Sequence, residues 1–112
     1  MRKAEIHMHN RIAGWLLETE SGYEFIYDEE YLHGPHSEAI SKTLPLRTDP
    51  FSSRTMFSFF DGLIPEGWLL DIAEKNFKLN PRDRMGLLLA CCEDCIGAVS
   101  VHPIEDSANE KP

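Results

Sequence analysis

The sequence predicts an α+β fold: an antiparallel β-sheet, built from an N-terminal meander and a C-terminal strand, packed with about three helices in a single domain. Three patterns carry this. The first third alternates apolar and polar residues with a period of two. The middle carries helical spacing with helix-start residues. An apolar strand pattern then returns near the C-terminus. A chain of 112 residues suits one hydrophobic core and one domain.

Ala4, Ile6 and Met8 alternate with Lys3, Glu5, His7 and His9, which predicts a strand with one apolar face. His9-Asn10-Arg11 is a polar break where Asn tolerates turn geometry. Ile12 to Glu18 is the return strand, and Trp15 within it is expected in the core. Glu20-Ser21-Gly22 makes a second turn, and Tyr23, Phe25 and Tyr27 alternate along a third strand. Residues 28–41 read as a loop around a short element near Glu29 to Leu32. Ser41 to Arg47 reads as a short edge or irregular strand, because Pro45 donates no ladder hydrogen bond.

Ser52 or Ser53 is expected to cap a helix through Asp61, with Met56, Phe57, Phe59 and Phe60 as its apolar band. Gly62 to Pro65 ends that helix, and a second runs from about Glu66 to Phe77. Asn80-Pro81-Arg82-Asp83 starts a third, with Asn at the cap, Pro at the first position and Asp in the first turn. It carries Met85, Leu87, Leu88, Leu89 and Ala90. Ile96 to Val101 is the last strand. The domain is expected over 1–103, with 104–112 as a polar, flexible tail.

Composition narrows the function classes. A formal net charge of -8 argues against direct nucleic-acid binding, which relies on clustered Lys and Arg. No stretch reaches the apolar length of a membrane span, and the N-terminus leads into strand alternation rather than a signal core. A cytoplasmic location is the expectation. All three cysteines, Cys91, Cys92 and Cys95, fall within five positions, unlike a secreted disulfide framework.

The candidate chemistry is thin. Cys92 and Cys95 form a C-x-x-C pair, but it follows a helix and precedes a strand, the reverse of a thioredoxin-like site. With no second cysteine block, a structural zinc site lacks its ligands, and buried thiols are the plain reading. His7 and His9 share one strand face, where two imidazoles could meet a metal; the sequence places no third ligand, and a solvated face is preferred. His33 and His36 read as loop polarity. No phosphate-binding glycine loop and no nucleophile elbow occurs. The expectation is a protein without catalysis, metal or cofactor.

The run Phe59-Phe60-Asp61-Gly62-Leu63-Ile64-Pro65-Glu66-Gly67-Trp68 is the most informative. Bulk, two glycines, a proline and a tryptophan suit a buried helix–turn–helix corner that presents a side chain. At 100° per residue, Leu69, Ile72, Ala73 and Asn76 centre the apolar face of the second helix, and Trp68 falls at its margin beside Asp71 and Lys75. A marginal Trp either folds back over the core or projects as an interface anchor.

Three runs carry a family resemblance: Ser41-Lys42-Thr43-Leu44-Pro45-Leu46, Phe59 through Gly67, and Asp94-Cys95-Ile96-Gly97-Ala98-Val99. In this order they resemble the N-terminal domain of HipA-type serine/threonine kinase toxins, over nearly the whole chain. Cys92-Glu93 stands where that family often has Gly-Arg. The phosphate loop and catalytic carboxylates of the kinase core have no counterpart in these residues. The chain is similar to the small HipS-like antitoxin of three-component HipBST systems. That resemblance implies an inhibitory subunit docking on a HipT-like kinase toxin, with a HipB-like DNA-binding protein as third component. Trp68 is then expected at the kinase cleft, on the corner formed with Pro65, Glu66 and Gly67. Glu66, Asp61 and Asp71 are placed to meet basic phosphate-binding residues. The alternatives are a structural subunit that assembles a DNA-bound repressor complex without direct inhibition, and a small thiol enzyme.

Overall fold

The computed structural model describes residues 1–35, 37–64, 67, 82–91 and 98–104. Its elements are β1 (Lys3–Met8), β2 (Arg11–Glu18), β3 (Tyr23–Tyr27), α1 (Glu29–Leu32), β4 (Phe51–Ser53), α2 (Ser58–Asp61), α3 (Arg84–Cys91) and β5 (Val99–Ile104). The strands form one antiparallel sheet in the order β4-β3-β2-β1-β5. The predicted class, an antiparallel α+β domain with an N-terminal meander and a C-terminal strand, is the observed one.

The meander follows from local chemistry. His9 and Asn10 both take positive φ, 52° and 67°, the geometry that lets a two-residue turn match strand twist. Met8 therefore pairs with Arg11, closing the hairpin. Farther along, Ile6 pairs with Gly14 and His7 with Ile12, so Ala13 is an extra residue, a β-bulge. Its carbonyl accepts from the Asp28 amide at 2.8 Å, which ties β2 to the end of β3. Asp28 then caps α1, its carboxylate accepting from the Tyr31 amide at 3.2 Å.

One sheet face packs the helices. Ala4, Ile6, Leu16, Phe25, Tyr27, Phe51, Val99 and Val101 join Tyr31, Phe60, Met85, Leu87 and Leu88 in a single buried cluster. Phe25 is its centre, with ring centroids 4.8 Å from Tyr27, 5.5 Å from Phe60 and 6.2 Å from Phe51. Burial of such side chains contributes about 1.5–3 kcal/mol each. Two buried tyrosines also organise the long connection before β4. The Tyr27 hydroxyl donates to the Leu44 carbonyl and accepts from the Ile40 amide; that of Tyr31 donates to the Glu38 carbonyl at 2.6 Å.

Several expectations are corrected. Ser41 to Arg47 is not a strand: Ser41 and Leu44 make only an isolated bridge within a turn. The fourth strand is instead Phe51–Ser53, because Phe51 inserts its ring beside Phe25. Ser52 and Ser53 are therefore strand residues, not helix caps. Helix α2 starts only at Ser58, after Phe57, which makes no side-chain cap hydrogen bond. The cap of α3 is Asp83, whose Oδ1 accepts from the Gly86 amide at 3.2 Å; Asn80 and Pro81 lie outside the described residues. Strand β5 begins at Val99 and runs through Pro103 to Ile104. Trp15 is not core. It is half-buried on the opposite face, because Leu16, its neighbour, points at the helices. His7 and His9 do not share a face: β1 ends at Met8, and His9 turns towards Glu38, 3.5 Å away.

Arg2 closes the domain between its ends. Its guanidinium donates to Glu18 at 2.8 and 2.9 Å and to Asp83 at 2.7 and 2.9 Å, joining β2 to the cap of α3. These hydrogen bonds hold both carboxyls below their usual range and push Arg2 further up. The sign follows from linkage. As pH falls, the unfolded chain takes up protons first, so the contribution is complete above the ordinary carboxylate range and fades as pH falls through the lowered values. The cluster is partly exposed, which screens it. Arg2→Ala should cost about 1 kcal/mol at pH 7, and that deficit should shrink below about pH 4. Urea unfolding of both proteins at the two pH values checks this.

Candidate partner-binding corner

The corner is built at the end of α2. Phe60, fully buried, anchors the helix on the sheet, while Phe57 and Phe59 pack edge-on against it at centroid distances of 6.1 and 5.2 Å. The chain then tightens. The Gly62 amide donates to the Ser58 carbonyl at 2.9 Å, that of Leu63 to Phe60 at 3.0 Å, and that of Ile64 to Asp61 at 3.3 Å. Gly62 keeps right-handed φ and ψ of -69° and -13°, so positive φ is not its reason for being glycine. A Cβ there would lie 3.3 Å from the Ser58 carbonyl oxygen, a tight contact. Ile64 returns to the core at 5% exposure. Three residues on, Gly67 is exposed, and among the described residues none outside its own chain neighbours lies within 4 Å of where a Cβ would stand.

Asp61 and Gly67 are thus the sequence-predicted site residues that the structure places. Asp61 is the last residue of α2, and its Oδ1 lies 3.3 Å from Arg84 Nε of α3. That atom is buried and outside hydrogen-bond geometry with any described donor. The carboxylate therefore braces the two helices within the chain, a role its spacing did not signal. Pro65, Glu66, Trp68 and Asp71 lie outside the described residues, as does the rest of the helix expected over 66–77 apart from Gly67.

The other candidate chemistry resolves as follows. His7 lies against His102 on the neighbouring strand, with centroids 4.0 Å apart and the rings tilted by 34°, and its Nε2 lies 2.9 Å from Glu5 Oε1. His102 Nε2 is 2.8 Å from Ser100 Oγ. Among the described residues, no group of three His, Cys, Asp or Glu side chains is arranged to hold a metal ion. Cys92 and Cys95 lie outside the described residues. Two open grooves, of about 370 and 390 Å³, are lined by Arg11, Asp28 and Glu30, and by Glu24, Ser52 and Arg54, among others; among the described residues neither lining includes a histidine or cysteine. Among the described residues, no helix is long and apolar enough to cross a membrane.

Sequence reasoning missed the second face of the sheet. Trp15, Leu17 and Ile26 line it, all half-buried and outside the cluster that packs the helices. The available signal was that both faces of β2 read as apolar, which led to a core assignment for Trp15 instead of to a second apolar face.

The architecture so defined is a small α+β domain in which one sheet face packs the helices and, among the described residues, nothing covers the other. The chain belongs to the HipA N-terminal domain family, whose sequence model matches residues 4–102. It is similar to a solved structure described as the N-terminal domain of HipA toxin, with a TM-score of 0.76, 25% identity and 95% of each chain covered. A Haemophilus influenzae protein of unassigned function is 30% identical over 101 residues, 90% of this chain and 92% of that one. The putative kinase Y4mE of Sinorhizobium fredii is 29% identical over 104 residues, 92% of this chain. The chain spans only 25% of that relative's length.

Proposed function

We propose that this chain is an antitoxin that binds and inhibits a HipT-like serine/threonine kinase toxin by placing its Pro65–Trp68 corner at the kinase active site. The observation that carries the reading is the corner itself. Ile64 is anchored in the core at the end of the turn after α2, and Gly67, three residues on, is exposed. Rigid support lowers the entropy cost of presenting a side chain to a partner. The relatives support the same direction. In the putative kinase this domain is one quarter of a longer polypeptide, so domain and kinase travel together there. In the Haemophilus influenzae relative it makes up nearly the whole chain.

In this reading the protein works in the cytoplasm, performs no catalysis of its own and needs no cofactor. Trp68 obstructs the kinase cleft, and kinase chemistry, which depends on positioning, stalls. Glu66 and Asp71 add negative charge beside it for basic phosphate-binding residues. Asp61 contributes chiefly by bracing the corner through Arg84. A HipB-like DNA-binding protein completes the assembly.

The test is co-expression of the kinase with wild-type chain or Trp68→Ala. Wild type should restore growth, and the variant should lose at least tenfold in its inhibition of kinase activity, the size of an interface hot spot. Full rescue by Trp68→Ala with unchanged binding would remove Trp68 from the mechanism. The kinase assay is run without the DNA-binding protein. Inhibition seen only when that protein is added would favour the assembly-subunit alternative.

A further inference from the structure

Among the described residues nothing covers the second sheet face, and one row of it is self-complementary in charge, while Glu5 in the next row keeps His7 as its partner within the chain. Pairing places Lys3 of β1, Leu17 of β2 and Glu24 of β3 in one cross-strand row, and Glu5, Trp15 and Ile26 in another. All point away from the face that packs the helices. Lys3 and Glu24 therefore flank Leu17 symmetrically, one strand spacing to either side. Neither has an ion-pair partner among the described residues.

We propose that a second copy of this chain covers this face, packed sheet against sheet about a two-fold axis running along β2. That operation lays β2 on its equivalent and β1 of each copy over β3 of the other. Lys3 of each copy then meets Glu24 of the other, giving two ion pairs, while Leu17 and Trp15 meet their own equivalents at the centre. Such an isologous contact needs a self-complementary patch, and opposite charges at equal distances from an apolar centre supply it. Aligned sheets cross at about 30°, which moves the rim by only a few ångströms, within reach of a lysine side chain.

The area is sufficient for a reversible dimer. Four or five strands at about 4.8 Å spacing, each about 20 Å long, present roughly 400–500 Å². Two such faces bury on the order of 1,000 Å², the lower bound for a specific interface. Ile64, the last described residue before the proposed corner, packs in the cluster on the helical side of the sheet, opposite this face. A dimer through the open face leaves both corners free, and one assembly then offers two docking points. This inference stands whether or not the corner's partner is a kinase.

Sedimentation equilibrium of the purified chain from about 1 to 500 µM tests it, a span chosen to bracket the weak dissociation constant such an area implies. Wild type should pass from monomer to dimer. Lys3→Glu and Glu24→Lys should each weaken association about tenfold or more, because like charges then face each other twice. The double variant, with both charges exchanged, should recover wild-type association within about threefold. Leu17→Glu should abolish it, with circular dichroism confirming the fold. A monomer across the whole range, a dimer equally stable in all variants, or a double variant no better than the singles overturns the proposal.

Discussion

Phe60→Ala should destabilise the domain by about 3–5 kcal/mol, the range for emptying a buried aromatic site. Phe60 is fully buried and contacts Phe25, Phe57 and Phe59, so its ring joins the centre of the sheet to all of α2. Helix α2 has four residues, too few to persist by its own hydrogen bonds, and tertiary packing must hold it. A domain of this size has a total stability of about 5–15 kcal/mol, so the loss is a large share. The urea midpoint should fall by about 2 M or more, given a slope of roughly 1–2 kcal/mol/M. Phe59→Ala, at a half-buried position on the same turn, should cost about 1 kcal/mol. Equal effects from the two would mean that α2 is not anchored through Phe60. The larger loss also has a functional reading. With α2 loosened, the proposed corner loses its support, and kinase inhibition should weaken even at temperatures where the sheet stays folded.

Where a residue's role is set by its immediate neighbours, the sequence was legible. The alternation of Ala4, Ile6 and Met8 with Lys3, Glu5 and His7 marks a strand with one buried face, and the structure has that strand. Positive φ at His9 and Asn10 follows from a polar pair between two strands. The errors fall where a distant residue decides. Ser52 and Ser53 have good capping chemistry, yet Phe51 finds a place beside Phe25, and pairing with β3 outweighs a cap. Asp83 is expected in the first turn of a helix but stands just before Arg84 as its cap, where Arg2 from the far end of the chain also holds it; Asn80 and Pro81 lie outside the described residues. Both faces of the strand carrying Trp15 read as apolar, which predicts a core position, and only the bulge at Ala13 and the inward Leu16 show which face it takes. In the corner, the turn after Phe60 was legible. The brace from Asp61 to Arg84 was not, because nothing local joins residues on separate helices.

Gly14→Ala should cost about 3 kcal/mol or more, as steric overlap in a central strand does. A Cβ at Gly14 would stand 2.3 Å from the Ile26 carbonyl oxygen and 3.0 Å from two atoms of the Phe25 ring. The first of these is backbone and cannot rotate away. Gly14 also pairs with both Ile6 and Tyr27, so strands on both sides resist displacement. Relief requires β2 and β3 to separate at the middle of the sheet, beside the bulge that already bends β2 at Ala13. The same substitution at Gly67, where a Cβ meets none of the described residues within 4 Å, should change stability by less than about 0.5 kcal/mol. Paired urea titrations of Gly14→Ala and Gly67→Ala therefore compare one methyl group in two surroundings. If Gly14→Ala unfolds at the wild-type midpoint, β2 and β3 are not packed as closely as this register requires. If Gly67→Ala is the damaging one, the corner is buried against something, and a projecting corner is the wrong starting point for the proposed contact.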